Sequence, residues 1–433
     1  DVDRDGDLDV WLVQYKLPYQ GGQFPTPFHD AADGFPSYLL RNDGPAGFVD
    51  VTREAGLEPK RFRRSYSASF VDLDLDGDLD LVNISDFAGL DVYLNEGQGR
   101  YRDRTGGLGL ARHAFGMAHA VVDLNGDPWP DLLVIGMGST VARRLDGLRL
   151  ERRDTPPDMP WRGEMTRGNR VFLGGRDGLH PAPFAAELAE GGWAWGVAPF
   201  DLENDGRPDF HLANGHETRA SVTDYERQFW LDDLHAAGSA HDPVADAFFR
   251  AQAGRRVQRQ ASYGGWQNSA LFWNGGDGRF TEAAWLLGSA VPADSRHAVA
   301  DDFDGDGRLD LAVTTFEEYP VPRQRLKIFL NETAGGGHWL GFTFPEGPGR
   351  PSPLNARVTV ETAAGNHHRW IVCGDSFRSQ GRRAVHFGLG QDAALKQVSI
   401  QWPDGRATRL GSPALDQWHP VMDPPGGQPP AAR

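Results

Sequence analysis

The sequence has a single cysteine, Cys373, among its 433 residues, so an internal disulfide is excluded. Cys373 ends the largely apolar segment 370–373, and we expect its thiol to be buried as a small hydrophobic group. A secreted chain without disulfides needs another source of stability, and bound metal is one such source.

Long hydrophobic segments are also lacking. No stretch of about eighteen consecutive apolar residues occurs, so the sequence predicts no membrane-spanning helix. Basic residues are outnumbered, with 44 Lys and Arg against 60 Asp and Glu and a formal net charge of −16. No basic stripe is available to hold a phosphate backbone, which argues against a nucleic-acid partner. The one short basic stretch, Lys60–Arg64, is predicted to be a solvated loop.

Motifs of the common catalytic sites are absent. The sequence has no nucleophile elbow, zinc-protease helix, phosphate-binding loop or cysteine pair. Its 14 histidines are scattered, and neither His113 with His119 nor the pair His367–His368 has the spacing of a zinc site. We therefore expect a protein that is not an enzyme. A carboxylate pair that meets only in space stays open as an alternative.

The most informative positive feature is an internal repeat. A nine-residue pattern, D-x-D-x-D-G-x-x-D, starts at Asp1, Asp72, Asp123, Asp201 and Asp302, at separations of 71, 51, 78 and 101 residues. Each copy precedes a short apolar strand and then a hairpin with a Gly-rich turn. One loop with its strands makes one propeller blade. The sequence therefore predicts an all-β fold, with five blades over residues 1–344.

Two further regions depart from the repeat. Residues 216–265 contain helix signals, with Asp224 capping a helix from Tyr225 to Ala237 and Asp242 before Pro243 opening a second one. We expect this insertion to be a packed flap. From about residue 345 the aspartate loops stop, and short alternating strands predict a small β domain over 345–415. The Pro- and Gly-rich segment 416–433 is predicted to be a disordered tail.

The repeated loops have the chemistry of a calcium site. Ca²⁺ prefers six to eight oxygen ligands, and carboxylates at positions 1, 3 and 5 converge when Gly at position 6 lets the backbone curl. The Asp at position 9 would close the cage. About five Ca²⁺ ions are predicted, which would change the net charge to −6. The candidate ligands are Asp1, Asp3, Asp5, Asp9, Asp72, Asp74, Asp76, Asp80, Asp123, Asn125, Asp127, Asp131, Asp201, Glu203, Asp205, Asp209, Asp302, Asp304, Asp306 and Asp310.

Two of the loops depart from the pattern. The third has Asn125 at position 3 and Pro128 in place of Gly, so we expect it to be the weakest calcium site. The fourth has Glu203 at position 3, a longer side chain that either coordinates the ion or turns outward. Extracellular calcium modules bind only at about 10⁻⁴–10⁻³ M, so the predicted compartment is extracytoplasmic: periplasmic, cell-surface or secreted.

These loops resemble the FG-GAP or VCBS repeats of integrin-like β-propellers. Four later segments, Asn355–Val358, Gly374–Gln380, His386–Gly390 and Trp402–Gly405, resemble an ASPIC/UnbV domain, and Ala213–His216 fits the same family. The combination resembles the bacterial members of the cartilage acidic protein-like family. That resemblance implies a seven-bladed ring when complete. A closed ring of that size would need about two more blades upstream. The sequence also opens inside a repeat and without Met, so we expect either a processed N-terminus or further sequence upstream.

Three functions stay open at this point. The first is a scaffold or adhesion protein that binds protein partners, either alone or as a subunit of a larger complex. The second is a lectin-like carbohydrate binder, suggested by Trp193 and Trp195 on one face of a strand and by 13 tryptophans in all. The third is an enzyme with a site on the propeller face. The sequence favours the first.

Overall fold

A computed structural model describes residues 1–15, 29–150, 161–232, 242–334, 336–345, 352–391 and 394–421. The fold is mostly β, as predicted. The strands are β1 Val10–Leu12, β2 Tyr38–Asn42, β3 Phe48–Asp50, β4 Arg64–Val71, β5 Asp80–Asp86, β6 Gly89–Asn95, β7 Tyr101–Asp103, β8 Gly116–Val122, β9 Asp131–Gly136, β10 Arg170–Leu173, β11 His180–Pro181, β12 Ala194–Phe200, β13 Asp209–Asn214, β14 Ser221–Asp224, β15 Ala261–Ser262, β16 Ala270–Gly276, β17 Arg279–Glu282, β18 Ser295–Asp301, β19 Asp310–Glu317, β20 Arg323–Phe329, β21 His338–Thr343, β22 Arg357–Thr362, β23 Asn366–Trp370, β24 Ala384–Gly390, β25 Leu395–Gln401, β26 Ala407–Gly411 and β27 Gln417–Pro420. The helices are α1 Thr140–Gly147, α2 Trp161–Met165, α3 Ala185–Leu188, α4 Glu226–Asp232 and α5 Pro243–Gln258, with 3₁₀ turns at Gly44–Ala46, Glu58–Lys60 and Thr105–Arg112.

Five antiparallel sheets form the predicted blades. Their strand orders are β1-β2-β3, β4-β5-β6-β7, β8-β9-β10-β11, β12-β13-β16-β17 and β18-β19-β20. The first strands of successive blades are neighbours, because β8 lies against β4 and β12, and β12 lies against β18. These four strands, β4, β8, β12 and β18, are called the inner strands below, since they line the axis of the propeller.

The residues of the blades explain the burial of their strands. Every residue of β5, β8, β9 and β13 is buried. Strands that are covered on both faces have continuous apolar sequences rather than alternating ones, as Leu132–Ile135 shows. By contrast, β20 on the last described blade has exposed Leu326 and Ile328.

The insertion lies between β13 and β16 and contains two helices, α4 and α5, as predicted. Asp224 accepts a hydrogen bond from the backbone N–H of Glu226 at the start of α4, and Asp242 accepts one from Val244 at the start of α5. Trp230 of α4 is fully buried, with its ring edge-on to Phe115 at 5.7 Å between centroids. The predicted end of the first helix at Ala237 lies outside the described residues.

The C-terminal domain has two sheets, β24-β21-β27 and β23-β22-β25-β26, around a core of its own. Its first strand, β21, begins at His338, so the predicted boundary at residue 345 is too late. The predicted disordered tail is also wrong at its start, because β27 pairs in parallel with β21. The Gln417–Pro420 strand forms because β21 offers it an unpaired edge. Residues 422–433 lie outside the described residues.

The basic stretch Lys60–Arg64 is not the solvated loop that the sequence predicts. Arg63 is buried, with its Nε 3.1 Å from the fully buried carboxylate of Asp91, and Lys60 Nζ lies 2.9 Å from the same carboxylate. Arg64 pairs with Asp33 at 2.9 Å. The partners are 28 to 31 residues away along the chain, so only the folded structure brings them together.

Candidate metal centre

The aspartate loops that start at Asp72, Asp123, Asp201 and Asp302 each join the first strand of a blade to its second, and the loop that starts at Asp1 precedes β1. The loop's ninth residue fixes it in place in the same way each time: Asp80 accepts backbone N–H bonds from Leu73 within the loop and from Asn95 at the end of β6, both at 2.8 Å. The other ninth residues, Asp9, Asp131, Asp209 and Asp310, make the equivalent pairs of bonds at 2.7–2.9 Å. This residue therefore ties the loop to the third strand of its own blade.

Loops one, two and five bring their carboxylates together. One oxygen from each of three acidic residues lies within 4.8 Å of the others, and the groups are Asp1, Asp3 and Asp5; Asp72, Asp74 and Asp80; and Asp302, Asp304 and Asp306. In loop two, the curl uses Gly77 at φ +91°, whose N–H donates to Asp72 at 3.1 Å. A left-handed backbone is readily adopted by glycine, as predicted.

Three buried oxygens in these loops have no hydrogen-bond partner among the described residues. They are the Oδ1 atoms of Asp1, Asp3 and Asp72. A buried oxygen without a partner is costly in free energy, and a cation between the carboxylates would satisfy it. The donor set, three hard carboxylate oxygens on one curled loop, fits Ca²⁺.

The electrostatics of loop two favour a cation as well. Burial raises the pKa of Asp80 to about 8. Burial, and then repulsion from Asp76 and Asp74, raises the pKa of Asp72 to about 6. Carboxylates crowded and buried in this way resist ionisation unless a positive charge lies between them.

Loops three and four use the same side chains differently. In loop three, the Asn125 amide donates to Asp127 at 2.7 Å, and in loop four both oxygens of Glu203 lie 2.8 Å from Trp273 Nε1. Glu203 has therefore turned outward, one of its two predicted outcomes. Among the described residues, neither loop forms a group of three clustered acidic oxygens.

The C-terminal domain covers the ends of these loops. The backbone N–H of His368 donates to Asp123 of loop three at 2.8 Å, and Trp418 Nε1 donates to Asp302 of loop five at 2.9 Å. The N–H of Gly390 donates to the Asn204 carbonyl of loop four at 2.8 Å. The sequence pattern does not reveal these contacts, because donor and acceptor are about 115 to 245 residues apart.

A segment of the same domain, Cys373–Ser379, enters the axis of the propeller and is called the channel loop below. It bonds successively to the four inner strands: Ser69 Oγ donates to the Cys373 carbonyl at 2.9 Å, and Ser376 N–H donates to His119 O at 2.8 Å. The Ser376 hydroxyl donates to the Val197 carbonyl at 2.9 Å and that of Ser379 to the Ala298 carbonyl at 3.4 Å. The channel loop therefore joins the domain to four blades.

The propeller and the C-terminal domain each match a known protein family. Residues 348–426 match the ASPIC and UnbV family, and residues 72–134 and 261–313 match the FG-GAP-like repeat. The chain carries FG-GAP-like repeats and an ASPIC/UnbV domain. The FG-GAP matches include aspartate loops two, three and five, and such repeats are consistent with a β-propeller. The resemblance seen in the sequence is thereby confirmed.

Curated relatives are similar over part of the chain. Cartilage acidic protein 1 of Mus musculus is 33% identical over 126 residues, which cover 29% of this chain and 19% of the relative. The Homo sapiens protein is 34% identical over 109 residues, 25% of this chain and 16% of the relative, and that of Xenopus tropicalis is 33% identical over 106 residues, 24% and 16%. The chain thus spans less than a fifth of the length of the relatives it matches.

These similarities define the general class of the protein. The matched families are repeat and binding domains, and they point to a protein-interaction module of the extracellular type. None of the helices in the described part of the chain is both long and apolar enough to cross a membrane.

The other candidate residues of the sequence lie inside the protein. Trp193 and Trp195 are each only 7% exposed, so they do not form an open platform for a sugar. His119 is fully buried between the hydroxyls of Ser67 and Ser69, at 3.0 and 2.9 Å, and burial lowers its pKa to about 3.

Cys373 is exposed, which corrects the predicted buried thiol. The strand β23 ends at Trp370, before the end of the apolar segment 370–373. Cys373 instead opens the channel loop of the ASPIC/UnbV domain, where its backbone carbonyl makes the tertiary contact.

The channel loop can enter the propeller axis only because residue 374 is a glycine. Its φ is +86°, and a Cβ there would collide with the carbonyl oxygen of Ala68 on β4. We expect Gly374→Ala to destabilise the protein by about 2 kcal/mol, because it combines backbone strain with displacement of the loop. Urea unfolding monitored by tryptophan fluorescence measures this.

Gly381 is the matched control, because no atom lies within 4 Å of a Cβ added there. Gly381→Ala should leave the unfolding midpoint nearly unchanged. Equal stability of the two variants would show that the channel loop is not constrained at Gly374.

Proposed function

We propose that the protein is an extracytoplasmic binding or scaffold protein whose propeller is stabilised by calcium. The grouping of carboxylates in loops one, two and five carries this proposal, together with the unpartnered oxygens of Asp1, Asp3 and Asp72. In these loops the predicted residues at positions 1 and 3 would hold the ion. In loops three and four the acidic side chains are bonded to their neighbours, so we assign them weaker calcium binding.

Calcium occupancy would have a structural consequence. The ninth Asp of each loop connects the loop to the third strand, as Asp80 connects to Asn95. An ion that orders the loop therefore also stabilises the blade. An ion in loop five would in addition stabilise the contact between the loop and the ASPIC/UnbV domain, because Trp418 donates a hydrogen bond to Asp302. The ion acts as a structural element in this proposal and takes no part in a reaction.

Metal stoichiometry provides the direct test. Equilibrium dialysis of the full chain at millimolar calcium should give at least three bound Ca²⁺ per chain, since extracellular modules bind at about 10⁻⁴–10⁻³ M. Asp72→Asn should lower the number by one, because it removes charge from a clustered group. Asp127→Asn in loop three is the matched control and should leave the three strongest sites intact. Fewer than three ions in the wild type would contradict the proposal.

The partner is proposed to be a protein, on the basis of the matched repeat and binding domains. Immobilised full chain, exposed to a native membrane extract, should retain a specific partner in calcium and lose it after chelation. Retention that is identical in both conditions would argue against calcium-dependent recognition. A positive glycan array with no protein captured would instead favour the carbohydrate-binding alternative.

A further inference from the structure

A large cavity lies at the end of the propeller axis opposite the aspartate loops. Its volume is about 780 Å³, within the range of small-molecule sites. The walls come from the beginnings of the inner strands, including Tyr66, Trp195 and His297, whereas the aspartate loops follow the ends of the same strands. Inner strands of seven or eight residues separate the two regions by about 20 Å.

The walls are mainly aromatic and make a surface suited to a planar ring. Trp193 stacks on His216 with ring centroids 4.8 Å apart and 16° between their planes, and Tyr263 meets Trp193 edge-on at 4.8 Å. Phe377, from the channel loop, closes the cavity from the axis and lies 5.1 Å from Trp195. Aromatic rings that line such a cavity favour an aromatic guest.

The described residues that line the cavity include two arginines, Arg296 and Arg378, and one carboxylate, Asp86. Arg296 lies over the Trp195 ring at 4.6 Å and donates to the carbonyls of Gly215 and His216. Arg378 follows Phe377 on the channel loop and makes no ion pair within the part of the chain that the structure describes. The negative charges of Asp294 and Glu217 act on Arg296, so Arg378 is the guanidinium available to an anionic ligand.

The single carboxylate among the described lining residues is already compensated. Asp86 is 5% exposed and accepts a hydrogen bond from the Tyr15 hydroxyl at 3.0 Å. Burial raises its pKa to about 7, although the nearby charge of Arg64 acts in the opposite direction. The two histidines are neutral, since burial lowers the pKa of His216 to about 3 and also lowers that of His297.

Polar groups in the walls are also left without partners. Buried atoms with none among the described residues are Trp193 Nε1, His216 Nδ1 and Asp86 Oδ1. The indole N–H can only donate, so an acceptor oxygen is its natural complement. Buried polar atoms without partners are uncommon in folded proteins, and the Trp193 N–H beside the cavity is a donor whose missing bond a ligand oxygen would supply.

We propose that this cavity binds a small aromatic carboxylate, with the ring among the aromatic walls and the carboxylate facing Arg378. An organic cation would also suit aromatic faces, but here it would meet two guanidinium groups. Because Phe377 and Arg378 come from the ASPIC/UnbV domain, the site is built jointly by both parts of the chain. This site is separate from the calcium loops and does not depend on the proposed function.

The probe for this site is 2-naphthoate, tested on the full chain with calcium present. We expect saturable one-to-one binding by titration calorimetry, with quenching of tryptophan fluorescence from Trp193 and Trp195. The neutral analogue 2-naphthamide should bind at least about tenfold more weakly, since it lacks the charge-assisted bond. Absence of saturable naphthoate binding, or tighter binding of 2-naphthylmethylammonium, would overturn the proposal.

Arg378→Gln is the deciding variant, and it should fold normally because Arg378 is exposed. We expect naphthoate affinity to fall about tenfold while naphthamide affinity changes less than about twofold. Arg409→Gln, an exposed arginine on β26 outside the cavity, is the matched control and should bind both probes as the wild type does. Equal naphthoate affinity of the Arg378 variant and the wild type would refute the assignment.

Discussion

Chelation of calcium should lower the melting temperature of the full chain by more than about 10 °C. One site contributes about 2.7 kcal/mol when free calcium is a hundred times its dissociation constant, so three sites contribute about 8 kcal/mol. That contribution is comparable with the net stability of a whole domain, about 5–15 kcal/mol. Differential scanning fluorimetry in excess calcium and after chelation measures the shift. A return of the melting temperature on adding calcium back separates this effect from irreversible unfolding.

Single-loop variants locate the effect. Asp72→Asn should remove about a third of the calcium-dependent shift, because the buried Oδ1 of Asp72 belongs to a clustered group. Asp123→Asn, at the same position of loop three, should leave the shift unchanged even if the baseline stability falls. Its carboxylate is already bonded to the N–H groups of Gly126 and His368. Equal melting curves with and without calcium in the wild type would refute a structural ion.

Loss of the buried carboxylate of Asp91 should be the most damaging single substitution outside the loops. Asp91→Asn leaves Arg63 and Lys60 without their shared counter-charge, and breaking a buried ion pair costs about 3–5 kcal/mol. We expect about 3 kcal/mol, at the low end, because Arg63 keeps Asp30 at 2.8 Å. Chemical denaturation of the calcium-loaded protein measures the change in free energy of unfolding.

Glu96→Gln is the control for this measurement. Glu96 pairs with Arg102 at 2.7 Å in the same blade, but both side chains are about half exposed, at 51% and 54%. An exposed pair contributes at most about 1 kcal/mol because water screens it. A loss for Asp91→Asn no larger than that for Glu96→Gln would show that the buried network contributes little.

The aspartate loops and the blades could be predicted because their information is local. Positions 1 to 9 of a loop lie within one turn of backbone, and Gly77 marks the curl directly in the sequence. The strands that follow are recognisable by their apolar character, and Asp224 and Asp242 mark the helices of the insertion by their own side chains.

The predictions are wrong where a residue far away in the chain determines the local structure. The composition of Lys60–Arg64 predicts a solvated loop, but Arg63 and Arg64 are buried and pair with Asp91 and Asp33. The segment after residue 415 has the composition of a tail, but the free edge of β21 makes Gln417–Pro420 a strand. Cys373 continues an apolar pattern, but the backbone leaves the strand to enter the propeller axis.

The sequence by itself determined the repeat, the all-β class, the acidic loop chemistry and the presence of a second domain. All of these depend on neighbours within about ten residues. Only the tertiary structure decided which loops bring their carboxylates together. Glu203 of loop four accepts a hydrogen bond from Trp273, and Asp123 of loop three accepts one from the backbone of His368 in the C-terminal domain. It also decided that Phe377 and Arg378 reach an aromatic cavity across the axis. Contacts between residues about 70 to 250 positions apart depend on how blades and domain assemble, and no local pattern encodes them.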